Sequence, residues 1–470
     1  MPKKPLIEEV NKHIDKDPIS FHVPGHKNGH VFEGTSEFKS FLKNDLTELT
    51  NLDDLHHSVG VIAEAEAKLT NLYGSIQSFF LVGGSTVGNL SMILATLKRN
   101  SKVLVQRNCH KSVFNGLKLI NAIPVFITPD INEQLGVANG LSLKSVRTAI
   151  LQNPEAEVLI LTYPNYYGEV YDIKKIIDFA HEKDMIVLVD EAHGAHFQLG
   201  NPFPTSSMNF GADIVVQSAH KTLPAMTMGS WVHVNSYRVS IKRIKEYLEI
   251  LQSSSPSYPI MMSLDGARSY LEEFTVNDIE YTISEIKKFK TMLLEIDGLI
   301  LFEPDDPLKL VIQLTSGCNG KTFQEVLETH GVFPEMSDQK NTLLILPLLK
   351  SSIVYPFEKA AIVIKKSIGK VNHLKNENKK ILLYENNACS TLEIPYSEMD
   401  HYKEEFILIN KAMNRVSAET IVPYPPGIPI IIRGEKITNA LIRALNLYIE
   451  SNIKIQGGKY LSCKQIAVFV

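Results

Sequence analysis

From about residue 60 to 295 the chain alternates short β-branched runs with longer helical stretches, and this alternation constrains the fold more than any other feature. Apolar runs fall at 79–82, 102–105, 125–128, 158–162, 186–189 and 213–217, with helical patterns around them at 63–72, 86–97, 143–151 and 173–182. A parallel crossover needs about a helix's length of chain, and each helix must bury its apolar stripe. The alternation therefore predicts an α/β domain with a mostly parallel sheet covered on both faces. After 295 the texture changes. Strands predicted at 299–302, 308–314 and 342–346, with helices at 322–330 and 355–368, describe a smaller α+β domain. The expected organisation is an N-terminal arm (1–45), a large domain (46–295), a small α+β domain (296–370) and a C-terminal domain (371–470). The arm carries a helix predicted over 6–16 and the polar loop from Pro24 to His30, and the charged, Asn-rich stretch 369–380 reads as a linker.

Composition removes several classes of function. Lys and Arg number 48 against 52 Asp and Glu, a net charge of −4 with no basic stripe, so no nucleic-acid partner is expected. No apolar run approaches the roughly 18–20 residues of a membrane span. The N-terminus has two lysines but no apolar core of a signal peptide. Four cysteines are scattered without CxxC spacing, which argues against a disulfide framework or thiolate zinc site and fits a reducing cytoplasm.

The chemistry gathers at strand ends. After the run at 79–82 come Gly83-Gly84-Ser85-Thr86-Val87-Gly88-Asn89 and a helix, either an anion cradle or a plain tight turn. The run at 186–189 ends in Asp190-Glu191-Ala192-His193, so Asp190 is either a ligand group at the sheet's carboxyl edge or a helix cap. His193 and His196 lack a third ligand at suitable spacing, so no metal is expected. The run at 213–217 ends in Ser218-Ala219-His220-Lys221, where Lys221 is either a solvated charge or a Schiff-base lysine. After 102–105 comes Arg107-Asn108-Cys109-His110, with His110 either a surface residue or a partner for a flat ligand. Together these ends match what pyridoxal 5'-phosphate requires: hydroxyls at Ser85 and Thr86 for the phosphate, Lys221 for the aldehyde, Asp190 for the pyridine nitrogen and His110 for the ring face.

The stretches FHVPGHKNG, DLTELTNLDDLH, FFLVGGSTVGN, QRNCHKSV, VDEAHGAHF, QSAHKTLPA, SSSPSY and YPPGIP resemble the short Gram-positive branch of the ornithine/lysine/arginine decarboxylases, fold type I pyridoxal-phosphate enzymes. The resemblance runs from residue 21 to about 429. It implies that Lys221 is the Schiff-base lysine and Asp190 the pyridinium partner, with His110 stacked on the ring. Ser85, Thr86 and Ser218 would contact the phosphate, His220 and His193 would border the cofactor, and Ser255 within 253–258 would reach the partner subunit's site. A homodimer, or a multiple of it, with shared active sites is implied, acting on a small-molecule amino-acid substrate. The sequence departs from the family, which commonly has Pro where Ser58 stands and Gln near Met228.

The expected reaction is decarboxylation of a basic amino acid, arginine favoured over lysine or ornithine, to a polyamine precursor. Asp53, Asp54 and Glu435 are candidate acids for the substrate's far end. An aminotransferase or carbon–carbon lyase is the alternative, but no Arg lies between 296 and 400 to clamp an α-carboxylate. Asp190–His193 also spells a helicase box, but the chain lacks a Walker A loop.

Overall fold

The computed structural model describes residues 3–371, 389–423, 428–450 and 454–470. The chain divides into two compact units. The first comprises Met1–Thr96, Ile186–Asn201 and Thr205–Phe274; the second comprises Leu97–Met185, Pro202–Pro204 and Thr275–Val470. Seven strands are numbered in chain order: β1 (Gln77–Leu81), β2 (Lys102–Gln106), β3 (Ile123–Ile127), β4 (Val158–Thr162), β5 (Ile186–Asp190), β6 (Ile214–Gln217) and β7 (Ser230–Val234). Four helices matter for the site: α1 (Pro5–Ile14), α2 (Val61–Tyr73), α3 (Gly84–Thr96) and α4 (Lys111–Leu119).

In the first unit the strand order is β1-β7-β6-β5. β5 and β6 are parallel, with Asp190 opposite Val216, and β7 is antiparallel to both β6 and β1. Two reversals bring β1 back into the direction of β5 and β6. Leu81, Asp190 and Gln217 therefore leave the sheet at one edge, where β7 begins at Ser230 opposite Leu81. β7, unforeseen in the sequence reading, supplies the antiparallel step.

The outer edge of β1 is closed by side chains. Alternate backbone amides of a strand point the same way, and here Ser78, Phe80 and Val82 donate to Thr70 Oγ1 (3.0 Å), Glu66 Oε1 (2.9 Å) and Gln252 Oε1 (2.8 Å). These contacts replace a neighbouring strand and leave no template for misassembly. Burial pushes the Glu66 carboxyl from an ordinary 4.5 up to about 8. Such a group binds more protons folded than unfolded, so its contribution to stability is full at acid pH and is lost as pH rises through about 4.5 to 8. Glu66→Gln, neutral throughout, is expected to gain thermal stability relative to the parent between about pH 6 and pH 9. A melting-temperature difference that stays constant across that range would refute the assignment.

The second unit holds β4-β2-β3 in parallel, with Cys389–Thr391 antiparallel on β3. It also holds the antiparallel sheet Leu299–Phe302, Lys309–Leu314, Thr342–Ile345 and Met336–Ser337. A separate apolar cluster, including Ile421, Ile431, Leu445, Ile466 and Val468, forms the core of the C-terminal region. The helix expected at 355–368 runs Phe357–Val371, taking the first residues of the expected linker. The rest of that linker, and Tyr424 to Gly427 of the segment YPPGIP, lie outside the described residues.

Candidate active site

α3 rises from the shared edge and packs on β1, β5, β6 and β7. Its start is built for close approach. Gly84 adopts φ +75°, and its N–H donates to Met228 O at 2.9 Å. At Gly88 a Cβ would stand 2.7 Å from Val216 Cγ1 and 2.8 Å from Leu81 Cδ1, so only glycine lets the helix press against both strands. Ser85 Oγ then lies 2.7 Å from Ser218 Oγ and 3.3 Å from Ser230 Oγ, and Thr86 is exposed beside it. Hydroxyls and helix-start amides on one turn are a donor set for a phosphate.

One helical turn beyond Ser85, Asn89 Nδ2 donates to Asp190 Oδ2 at 2.7 Å, and Ala192 N–H donates to Oδ1 at 3.2 Å. Asp190 is 3% exposed, and its two oxygens are held by separate donors, so the carboxylate has a fixed plane. Asp190 ends β5 at the carboxyl edge of the sheet, and its Oδ1 holds the following turn through Ala192 N–H; it does not cap a helix. Lys221 Nζ lies 3.0 Å from His193 Nε2. His220 Nδ1 lies 2.9 Å from Gly229 O, so the neutral ring donates there and keeps Nε2 as an acceptor.

Behind these residues lies a network the sequence reading missed. Glu191, fully buried, accepts from Ser206 Oγ (2.7 Å), Ser207 N (2.7 Å), Ser207 Oγ (2.5 Å) and Gln217 Nε2 (2.7 Å). Burial pushes its carboxyl up to about 7, against the pull of those four donors. Gln217 Oε1 lies 3.2 Å from His233 Nε2, and burial pushes that imidazole down to about 3. The only sequence signal was the placement of Glu191 and Gln217 beside Asp190 and Ser218. Asn89 stood within the glycine motif without an assigned role.

His110 lies in the second unit, where it caps α4: its Nδ1 accepts from Ser112 N–H at 3.2 Å. Ser255 is exposed in the loop before the helix Tyr258–Glu272. Of the run 253–258, Ser253 to Ser255 are exposed, whereas Tyr258 is buried and donates its hydroxyl to Asp53 O.

The three candidate acids for the substrate's far end are engaged within the protein. Asp53 caps the start of α2, accepting from Val59, Gly60, Ile62 and Ala63 amides. Asp54 Oδ1 accepts from His56 N at 2.8 Å. Glu435, one of the candidate acids for the substrate's far end, is buried in an ion pair with Arg107 at 2.9 Å.

A cluster of serine hydroxyls at a helix start, an oriented carboxylate and a lysine 3.0 Å from a histidine thus share one edge of one unit, and this donor set fits pyridoxal phosphate. Among the described residues no three His, Cys, Asp or Glu side chains are grouped as metal ligands, and no helix is long and apolar enough to cross a membrane.

Comparison with known proteins agrees. Residues 4–311 match the family model for the Orn/Lys/Arg decarboxylase major domain, and residues 378–457 match that family's C-terminal domain. Bacillus subtilis (strain 168) YaaO, described as an uncharacterized protein, is 43% identical, covering 99% of this chain and 98% of its own. The arginine decarboxylase of the same organism is 32% identical, covering 96% of this chain and 95% of its own. Among solved structures, the Francisella novicida lysine decarboxylase LdcF superposes with a TM-score of 0.81 at 20% identity, covering 99% of this chain and 81% of its own. The chain belongs to the Orn/Lys/Arg decarboxylase family, pyridoxal-phosphate-dependent enzymes of fold type I.

Proposed function

We propose that the chain decarboxylates arginine, releasing CO₂ and agmatine, a polyamine precursor. The observation that carries this reading is the end-to-end match to an arginine decarboxylase, over 96% of this chain and 95% of that one. Bound pyridoxal phosphate supplies the electron sink that accepts the pair left by the departing carboxylate. Asp190, its two oxygens held by Asn89 Nδ2 and Ala192 N–H, would be the partner of the ring nitrogen. Ser85, Thr86 and Ser218 would bind the phosphate and Lys221 would carry the cofactor; His110 is assigned to the ring by the family resemblance alone. Lys221 and His193, 3.0 Å apart, pass a proton between them, which leaves Lys221 Nζ or His220 to return one to the substrate's Cα. A far-end guanidinium still needs an acid, because an unpaired buried charge costs several kcal/mol. Asp53 and Glu435 are committed elsewhere.

The segments 1–45, 46–295, 296–370 and 371–470, a cytoplasmic setting and a homodimer with shared sites complete the proposal. Exposed Ile19, Phe21 (93%), Val23 and Val31 support the dimer, since a monomer rarely leaves such a row in water. Ser255 would face the partner's site. A monomer by sedimentation at micromolar concentration would remove that part. The substrate is tested by incubating the holoenzyme with arginine, lysine and ornithine in turn. Agmatine is the expected amine; cadaverine or putrescine in its place would reassign the substrate. No amine from any of the three would end the decarboxylase proposal for basic amino acids.

A further inference from the structure

Between Lys221 and β7 the chain makes a short loop whose last residues hold two parts of the candidate site at once. Met228 O accepts the Gly84 N–H at 2.9 Å, at the start of α3. Gly229 O accepts the His220 N–H at 3.2 Å and lies 2.9 Å from His220 Nδ1. Ser230 Oγ lies 3.3 Å from Ser85 Oγ. Three consecutive residues thus tie the serine turn at 84–85 to the lysine turn at 218–221, and all of them belong to the first unit. The one direct link between the two turns is the 2.7 Å contact of Ser85 Oγ with Ser218 Oγ.

The loop keeps a shape that its sequence does not favour. Met228 adopts φ +77°, a left-handed conformation that residues with a Cβ rarely take. It is also 48% exposed, so side-chain packing does not account for the conformation. What the conformation secures is the carbonyl contact to Gly84. Gly229 is needed for close approach: a Cβ there would stand 2.9 Å from Met226 O and 3.1 Å from Leu264 Cδ2. Gly229 N–H donates to Met226 O at 2.9 Å and closes the turn. Met226 N–H in turn donates to Ser263 Oγ at 3.0 Å, which anchors the loop to the helix Tyr258–Glu272. Backbone strain of this kind persists where the surroundings over-determine it, and such places cluster at functional sites.

We infer that residues 226–230 form a strap that fixes the spacing between the phosphate seat and the Lys221 amine, with Met228 and Gly229 as its positioning residues. This rests on the reading of Ser85 and Lys221 as the two ends of the cofactor site. Pyridoxal phosphate is a single short molecule that must reach both turns at once, so a change in their spacing weakens it directly. Pyridoxal and inorganic phosphate, supplied as separate molecules, settle on their own turns independently. The strap therefore sets the preference for the tethered cofactor over its two pieces, a ratio that a uniform loss of stability does not move.

The test measures the apoprotein's affinity for pyridoxal phosphate, read from the visible band, against its affinity for pyridoxal with inorganic phosphate present. Melting temperatures are taken on the same samples. Met228→Val places a stiff β-branched residue at a positive φ, and Gly229→Ala drives a methyl into Met226 O; each should cut the preference for the tethered cofactor by about tenfold or more. Met228→Gly takes the same φ freely and should keep the preference within about twofold. Ser263→Ala removes only the anchor of Met226 and should cut the preference by about threefold, which supplies the answer if Met228→Val or Gly229→Ala does not fold. Lower melting temperatures with an unchanged preference in these variants would overturn the inference. A Met228→Gly variant as impaired as Met228→Val would overturn it too, because the side chain and not the backbone would then be responsible. Ser85→Ala tests the reading beneath: unchanged affinity for pyridoxal phosphate there would remove the phosphate seat itself, whereas weakened affinity in Ser85→Ala beside unaffected strap variants would remove the strap alone.

Discussion

Lys221→Ala is expected to lower turnover by about 10⁴-fold, on the order of 5 kcal/mol, because in the proposed mechanism one amine both holds the cofactor and moves a proton. The parent should absorb in the visible, and borohydride should fix the cofactor to a single peptide containing Lys221. The variant should lose both signals while keeping its fold, since Lys221 is half-buried at the mouth of β6. His193, 3.0 Å from Nζ, supplies the control. His193→Asn should still be trapped by borohydride at Lys221, but with a shifted pH dependence of the visible band, because the neighbouring proton site is gone. A trapped peptide lacking Lys221 would refute the assignment. An unmoved pH profile in His193→Asn would refute the proton exchange between the two.

The succession of strands along the chain and the placing of candidate residues at strand ends were readable because each end carries its polar groups within five residues of an apolar run. Predicted 158–162 and 299–302 match the observed strands Val158–Thr162 and Leu299–Phe302. Helices at 143–151 and 173–182 differ by a residue from Leu143–Gln152 and Ile173–His181. β7 was missed because Ser230-Trp231-Val232-His233-Val234 mixes polar and apolar residues, although all five are buried. Its serine and histidine are satisfied by Ser85 and Ser78, partners far away in sequence. The same limit hid Asn89, which donates to Asp190, and Glu191, whose donors come from Ser206, Ser207 and Gln217 on other elements. The partner of Glu435 was hidden for a related reason: a carboxylate after a rigid Pro-rich segment looks available until Arg107, distant in sequence, is seen to take it. Periodicity reports which face of an element is buried, and it carries no information about which distant side chain completes a polar group.

Asp190→Ala is expected to reduce turnover by about 10²–10³-fold, roughly 3–4 kcal/mol, the range seen when one preorganised charged contact to a reacting group is lost. The fold should survive with a smaller penalty of about 1–3 kcal/mol, because Asn89 Nδ2 loses its buried acceptor at 2.7 Å. Asp190→Glu should be nearly as slow, since a longer arm cannot keep both the Asn89 and Ala192 donors while holding the carboxylate in place. Asn89→Ala separates orientation from charge. It leaves Asp190 ionisable but held only by Ala192 N–H at 3.2 Å, so turnover should fall between the parent and Asp190→Ala while the cofactor stays bound. The spectrum distinguishes the two losses. Asp190→Ala should shift the cofactor's visible titration, because the ring nitrogen has lost its counter-charge, whereas Asn89→Ala should leave that titration close to the parent's. Near-parental turnover in Asp190→Ala would reduce the carboxylate to a cap on its own turn, and an Asn89→Ala variant as slow as Asp190→Ala would show that its plane matters as much as its charge.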